Sequence, residues 1–311
     1  MNGLFEVNYA AFSVFAALII TEIMGAVVML VAWPARSRVL DYVVPAWEVT
    51  GTFGAFWVVT GGFAYPAILV PVATIFAPLL VVFLILWVAR SASIAFAEFI
   101  TKRGWLDETK LYRAYAASTL VLGLVVLVLL SSLVGGQGVD LTSTSFSIIS
   151  WATAGNLVFV LGTLVLGVGL APVFFDLESL RKPVLPLTCT GVALSVFAYW
   201  LMSPSLVTTW MVVPVVLTLL AASLYLWPKS RGVVTNKAIF LSVLSIIIFS
   251  LQPLVYPKVI GQALTIDAVT TGGAMAAAFL SVTVVGVVLL ALMLILYTRI
   301  ASQGPSGPDL P

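Results

Sequence analysis

From about residue 8 to residue 299 the chain runs in long apolar blocks, separated by short breaks that are charged or rich in Gly and Pro. A helix needs about 20 apolar residues to cross a bilayer. Cutting at the breaks predicts nine such helices, at about 8–33, 45–66, 68–100, 111–134, 145–173, 184–203, 206–227, 237–257 and 268–299. The second and third are joined only by FAYP (Phe63 to Pro66), and the sixth and seventh only by MSPS (Met202 to Ser205). The pattern therefore predicts an all-α polytopic membrane protein, with one transmembrane domain over 1–300 and a short, disordered polar tail over 301–311. No repeat of 20–50 residues is visible, which removes a solenoid. Small residues in the second block (Gly51, Gly54, Gly61, Gly62) and the fifth (Gly155, Gly162, Gly167, Gly169) predict close helix packing.

Composition agrees: 62% of the 311 residues are hydrophobic and 8% charged, against roughly a quarter charged in a soluble domain. The bases fix an orientation. Arg36 and Arg38, then Lys102, Arg103, Lys110 and Arg113, then Arg181 and Lys182, then Lys229, Arg231 and Lys237 fall in alternate connections, and Arg299 follows the last block. The other connections hold only Lys258. Lys/Arg excess marks the cytoplasmic side, so the N-terminus is predicted outside and the C-terminus inside. Glu6, with no base, precedes the first block, so it reads as a retained helix and not a cleaved signal. A net charge of +2 gives no reason to invoke nucleic acid.

The chain has no histidine. Imidazole is the commonest haem and transition-metal ligand and the usual acid/base group near neutral pH, so His-ligated haem, His-based zinc and a Ser-His-Asp triad are excluded. There is no Walker glycine loop and no dinucleotide-binding fingerprint. The single cysteine, Cys189, sits in an apolar run and reads as buried filler. A redox centre, if the chain serves one, belongs to another chain.

Ionisable residues inside spans are costly in lipid and are functional candidates by default. Glu22 lies 12 residues before Pro34, about 18 Å from the end of its helix at 1.5 Å per residue. Glu48 lies one turn into the second block as drawn, and Asp41 falls in the basic loop before it. The three predict a series of carboxylates rising from cytoplasm to midplane, with Glu48 the mouth and Glu22 the interior station of a proton route. An acid buried without a cation has its charged form disfavoured, which suits a carrier. Thr21, Thr50 and Thr52 offer hydroxyls beside it. The alternative is that Glu22 and Glu48 only hydrogen-bond neighbouring helices or a partner. Arg90 and Glu98 are expected to pair with each other or to snorkel. Asp176 and Glu178, near Arg181, read as solvated charge, and Asp267 in TIDA as an N-cap.

The order Pro45, Trp47, Glu48, then Trp57 and TGG (Thr60 to Gly62), then FAYP, resembles subunit II of cytochrome bd-type quinol oxidases. Arg90, Phe96, Glu98 and Phe99 match that family's Arg followed by a Phe/Glu/Phe cluster. SLQPLVYP (Ser250 to Pro257) and the closing YT (Tyr297, Thr298) match its last part. The likeness covers about the first 100 and the last 65 residues. Departures are plain: the family's Asp-Gly-Phe-Asp-like motif reads TEIMGA (Thr21 to Ala26), its Asp-Gly-Asn after the first Trp reads Glu48-Val49-Thr50, and the Arg-to-Glu spacing is eight instead of about five. The resemblance implies nine helices as two four-helix bundles (helices 1–4 over about 8–134, helices 5–8 over about 145–257) with helix 9, about 268–299, peripheral.

It further implies a partner, subunit I, holding two b-type haems and haem d and oxidising quinol, with no haem on this chain. Small single-helix subunits and a structural quinone or lipid would accompany the pair, in the plasma membrane of a prokaryote. Glu22, Glu48 and Asp41 would serve proton delivery, supported by Thr21, Trp47, Thr50, Trp57, Arg90 and Glu98. Two other readings stand beside this one. In a proton-coupled secondary transporter, Pro71, Pro78 and Pro214 would break helices; the chain could also be a structural anchor of another respiratory complex.

Overall fold

A computed structural model describes residues 3–100, 107–256, 260 and 273–302. Lys102, Arg103, Lys258, Asp267 and residues 303–311 of the polar tail lie outside the described residues, as do the expectations attached to them; Ala301 and Ser302 end the last helix. Helix α1 is Gly3–Val31, α2 Arg36–Ala64, α3 Pro66–Ile75, α4 Ala77–Phe99 and α5 Glu108–Gly135. After a two-stranded hairpin, β1 Val139–Asp140 and β2 Ser145–Phe146, come α6 Ile148–Trp151, α7 Ala154–Phe175, α8 Val184–Met202 and α9 Val212–Leu226. The rest are α10 Arg231–Val234, α11 Lys237–Ser250, α12 Gln252–Val255 and α13 Gly273–Ser302. Among the described residues eight helices are long and apolar enough to span a membrane, and α2 with α3, bent by 117°, makes a ninth candidate.

Helices α1, α2, α4 and α5 form one bundle and α7, α8, α9 and α11 the other, while α13 lies against α2 and α1. The bundles meet where α1, α2 and α7 cross. Gly25 of α1 leaves room there for Val39 and Val43 of α2 and the Phe175 ring. Tyr42 packs edge-on against Phe174, with ring centroids 4.7 Å apart. Within the second bundle a glycine seam draws α7 onto α8. A Cβ on Gly191 would stand 2.5 Å from the Leu166 backbone nitrogen, and one on Gly169 2.8 Å from that of Thr188. Small residues at such crossings let backbones approach, the main source of helix association where lipid is as apolar as the side chains.

Several boundaries differ from the sequence pattern, among them the start of α9 at Val212 and the end of α11 at Ser250; three others carry a physical reason. Helix α2 begins at Arg36 and runs through Pro45, so Asp41 is helical and not in a loop. The cause is tertiary: Val39, Tyr42, Val43 and Ala46 recur at helical spacing and are buried. The expected third span is split at Phe76, with Pro78 in the first turn of α4. The expected start of the fifth span is the hairpin instead. Asp140 accepts from the backbone and hydroxyl groups of Thr142 and Ser143, and Gly138 has φ +83°. The span proper starts at Ala154, capped by Thr153.

The two ends of the molecule differ in kind. At one, Arg231 pairs with Asp176 (2.6 Å) and Glu178, Arg38 donates to the Asp176 carbonyl, Arg181 to the Leu226 carbonyl and Lys237 to the Phe174 carbonyl. Asp176 and Glu178 are thus a clamp between connections and not merely solvated charge. Asp107 caps α5 at this end; the Lys110 backbone N–H it accepts holds its carboxyl below the usual carboxylate range. The other end carries the hairpin and an aromatic cluster of Phe5, Tyr9, Phe12 and Tyr256. Cys189, expected to be buried, is exposed on α8.

Candidate functional site

Three helices of the first bundle bring polar side chains to one point. Glu22 of α1 and Arg90 of α4 are fully buried, and Arg90 Nη1 lies 2.6 Å from Glu22 Oε2. The hydroxyl of Tyr115 on α5, also fully buried, donates to the same oxygen at 3.2 Å. The Arg90 guanidinium stacks over the Trp87 ring, 4.3 Å from its centroid. Gly51 of α2 faces the far edge of that ring. Close packing makes the crossing possible, since Gly123 of α5 accommodates Ile23 next to Glu22.

The expected premise for Glu22, burial without a cation, is therefore not met: its cation is Arg90. Arg90 and Glu98, expected to pair with each other or to snorkel, do neither: Glu98 accepts from the Tyr112 hydroxyl and Arg90 is fully buried on Glu22. An eight-residue separation puts Arg90 and Glu98 more than two turns apart on α4. The triad is not saturated. Beyond the Arg90 Nη1–Glu22 Oε2 pair, Glu22 Oε1, Thr119 Oγ1, Arg90 Nε and Arg90 Nη2 have no hydrogen-bond partner of good geometry among the described residues.

The other expected site residues separate into two sets. Thr21 is buried, donates to the Leu18 carbonyl at 2.7 Å and stands 2.8 Å from the Tyr42 hydroxyl. Thr50 is buried and donates to the Ala46 carbonyl, Trp47 packs on the core, and Trp57 stacks with Phe12 and Phe15. Glu48 and Asp41, by contrast, face outward. With Pro45, Thr52, Ala55 and Val59 they form an exposed stripe along α2, at the seven- and four-residue spacings that share a helical face.

Depth overturns the rising series as well. Glu48 is 12 residues into α2, about 18 Å along, and Glu22 is nine residues from the end of α1, about 14 Å. The two acids lie at similar depth, one inside the bundle and one on its outer face. Tyr115 went unnoticed in the sequence. A tyrosine in an apolar block reads as packing, and only its position opposite Glu22 reveals it.

Among the described residues no cluster of His, Cys, Asp and Glu could hold a metal ion, and the sequence offers no imidazole for a haem.

No family model matches the chain, and no curated protein matches it in sequence. Among solved structures it is similar to a chain in the structure of bd oxidase from Geobacillus thermodenitrificans, with a TM-score of 0.68 at 17% identity. The match covers 95% of this chain and 97% of that one. The protein shares, from end to end, the fold of a bd oxidase chain.

Proposed function

We propose that the chain is the non-haem subunit of a bd-type quinol:oxygen oxidoreductase. It would support a haem-bearing subunit with two b-type haems and haem d, and help bring cytoplasmic protons to the oxygen-reducing centre. The observation that carries this reading is the end-to-end fold likeness to a bd oxidase chain. The lack of histidine favours the subunit without haem, because its partner needs axial ligands that this sequence does not supply. When bound in the partner, haem supplies the oxygen chemistry; this chain supplies surface, fixed charge and proton-holding groups.

The outer stripe of α2 supports a partner on that side. An ionisable side chain at lipid depth faces protein or a water-filled cavity, and Glu48 is exposed on the chain by itself. Covering the stripe with another subunit resolves the conflict. It also places Glu48 and Asp41, seven residues and about 10 Å apart along the helix, at the boundary where protons would pass to the partner. Glu22, held by Arg90 and Tyr115, takes the positioning role and Glu48 the carrying role, the reverse of the emphasis the sequence suggests.

A stand-alone transporter gains little support. Pro214 sits in the first turn of an unbroken α9. The break at Phe76 packs on Phe146 of the hairpin, at the end of the molecule and not inside the bundle.

The test is purification of the tagged chain from its own membranes, followed by Glu48→Gln in the same complex. The reading expects a second multi-span chain to co-purify. It also expects the variant to assemble with full haem content yet take up protons during oxygen reduction on the order of a hundredfold more slowly, the scale of a lost acid/base group. Recovery of a single chain would overturn the oxidase assignment; normal uptake in an assembled variant would remove the proton role of Glu48 alone.

A further inference from the structure

At the end of the molecule that carries the basic connections, two arginines far apart in sequence converge on one tryptophan. Arg36, the first residue of α2, and Arg113, in the second turn of α5, place their guanidinium carbons 5.2 and 5.1 Å from the centroid of the Trp33 ring. Both arginines are exposed. Among the described residues neither forms an ion pair. Asp107, six residues before Arg113, acts on it only at a distance and is engaged by Lys110 at 3.3 Å. Two like charges within about 10 Å of each other repel weakly in water, and an anion held between them would turn that repulsion into attraction.

Trp33 sits two residues beyond the end of α1, in a short 3-10 turn closed by the Ala35 N–H to the Ala32 carbonyl. The last turn of α1 just before it exposes Leu30 and Val31, at 44% and 77%. Along the chain the order is thus apolar surface, then an indole, then a cation, with the second cation brought to the same ring by α5. Indoles settle at the headgroup level, guanidiniums grip phosphate with paired donors, and exposed Leu and Val suit an acyl chain.

We propose that Trp33, Arg36 and Arg113 form a binding site for one anionic phospholipid, its phosphate between the two guanidiniums and a chain along Leu30 and Val31. Arg38, Arg181, Arg231 and Lys237 are committed to the clamp and Lys110 to Asp107; Lys182 and Lys229 are exposed, but among the described residues of this face only Arg36 and Arg113 are brought together on one tryptophan ring. Basic pockets between spans recognise anionic headgroups in this way. The site is independent of the proposed oxidase role, since it lies on the membrane boundary and involves no residue of the triad or of the α2 stripe.

The test is native mass spectrometry of the purified, delipidated full chain with whatever co-purifies, titrated with dioleoylphosphatidylglycerol and, separately, dioleoylphosphatidylcholine. The wild type is expected to retain one phosphatidylglycerol and to discriminate against phosphatidylcholine. Arg36→Gln/Arg113→Gln should weaken that binding by about fivefold per base, roughly 30-fold in all. Lys182→Gln/Lys229→Gln, which removes the same charge from exposed positions elsewhere on the face, should leave it unchanged.

Inorganic phosphate at tens of millimolar should not displace the lipid. Displacement would mean a free-anion site, and equal weakening by the lysine pair would mean diffuse attraction; either overturns the proposal, as does unaltered binding in the arginine pair. If the arginine pair does not fold, brominated phosphatidylglycerol at one equivalent decides on the wild type. Quenching of a fluorescence component that Trp33→Phe lacks supports the site, and identical quenching in both overturns it.

Discussion

Glu22 and Arg90 have to be considered together. A buried ion pair contributes little net stability, because taking two charges out of water costs about as much as their attraction returns, but removing one partner strands the other. Glu22→Gln alone leaves Arg90 buried with no counter-charge and is expected to destabilise the protein by about 3–5 kcal/mol. Arg90→Met should cost a comparable amount. The double variant Glu22→Gln/Arg90→Met should be far more stable than the sum of the singles implies. Thermal unfolding of the four proteins in detergent checks this, and additive losses would mean the two side chains do not act as a pair. For this reason Glu22→Gln is a poor probe of proton transfer, whereas Glu48, exposed and unpaired among the described residues, can be changed without that penalty.

Between elements, the α7–α8 seam makes the sharpest statement. At Gly191 an added Cβ would meet backbone atoms of Leu166 2.5 and 2.6 Å away, and backbone cannot rotate aside. Gly191→Ala is expected to cost about 1–3 kcal/mol, the range for forcing extra carbon into a packed interior. Gly167, two residues before Gly169 on the same helix, has nothing within 4 Å of an added Cβ. Gly167→Ala should be neutral or gain up to about 1 kcal/mol from helix propensity. Thermal unfolding of both variants separates a packing role from a generic glycine effect.

The contrast also shows what the sequence reveals at this scale. Gly155, Gly162, Gly167 and Gly169 look alike in the sequence, and only the neighbouring helix distinguishes the one that is idle. Spans are legible because hydropathy is local and lipid demands about 20 apolar residues. The hairpin at 139–146 and the helical stretch 36–44 are not, because burial by other elements decides them. In the candidate site, Glu22 and Arg90 stood out as charges in apolar blocks. Their pairing across 68 residues, and the outward aim of Glu48, depend on helix rotation, which near-uniform hydrophobicity does not encode.

Across the whole molecule, the basic connections gather at one end, held by the Asp176–Arg231 clamp, and the hairpin with its aromatic neighbours occupies the other. This polarity, with the positive-inside rule, predicts that reporters fused after residues 107 and 232 read cytoplasmic and one after residue 138 reads external. A reversed pattern would place Asp41 on the outer side and remove the cytoplasmic proton entry. The same polarity puts the α2 stripe, with Glu48 at mid-depth, along the side of the molecule, the face that the proposed partner subunit would cover. The most direct measurement of the central claim is the optical spectrum of the dithionite-reduced complex co-purified with this chain, set beside the chain expressed without its partner and supplied with haem. The account predicts b- and d-type bands in the complex and no Soret band in the single chain. A colourless preparation from native membranes, or a stoichiometric haem spectrum from the chain alone, would contradict it.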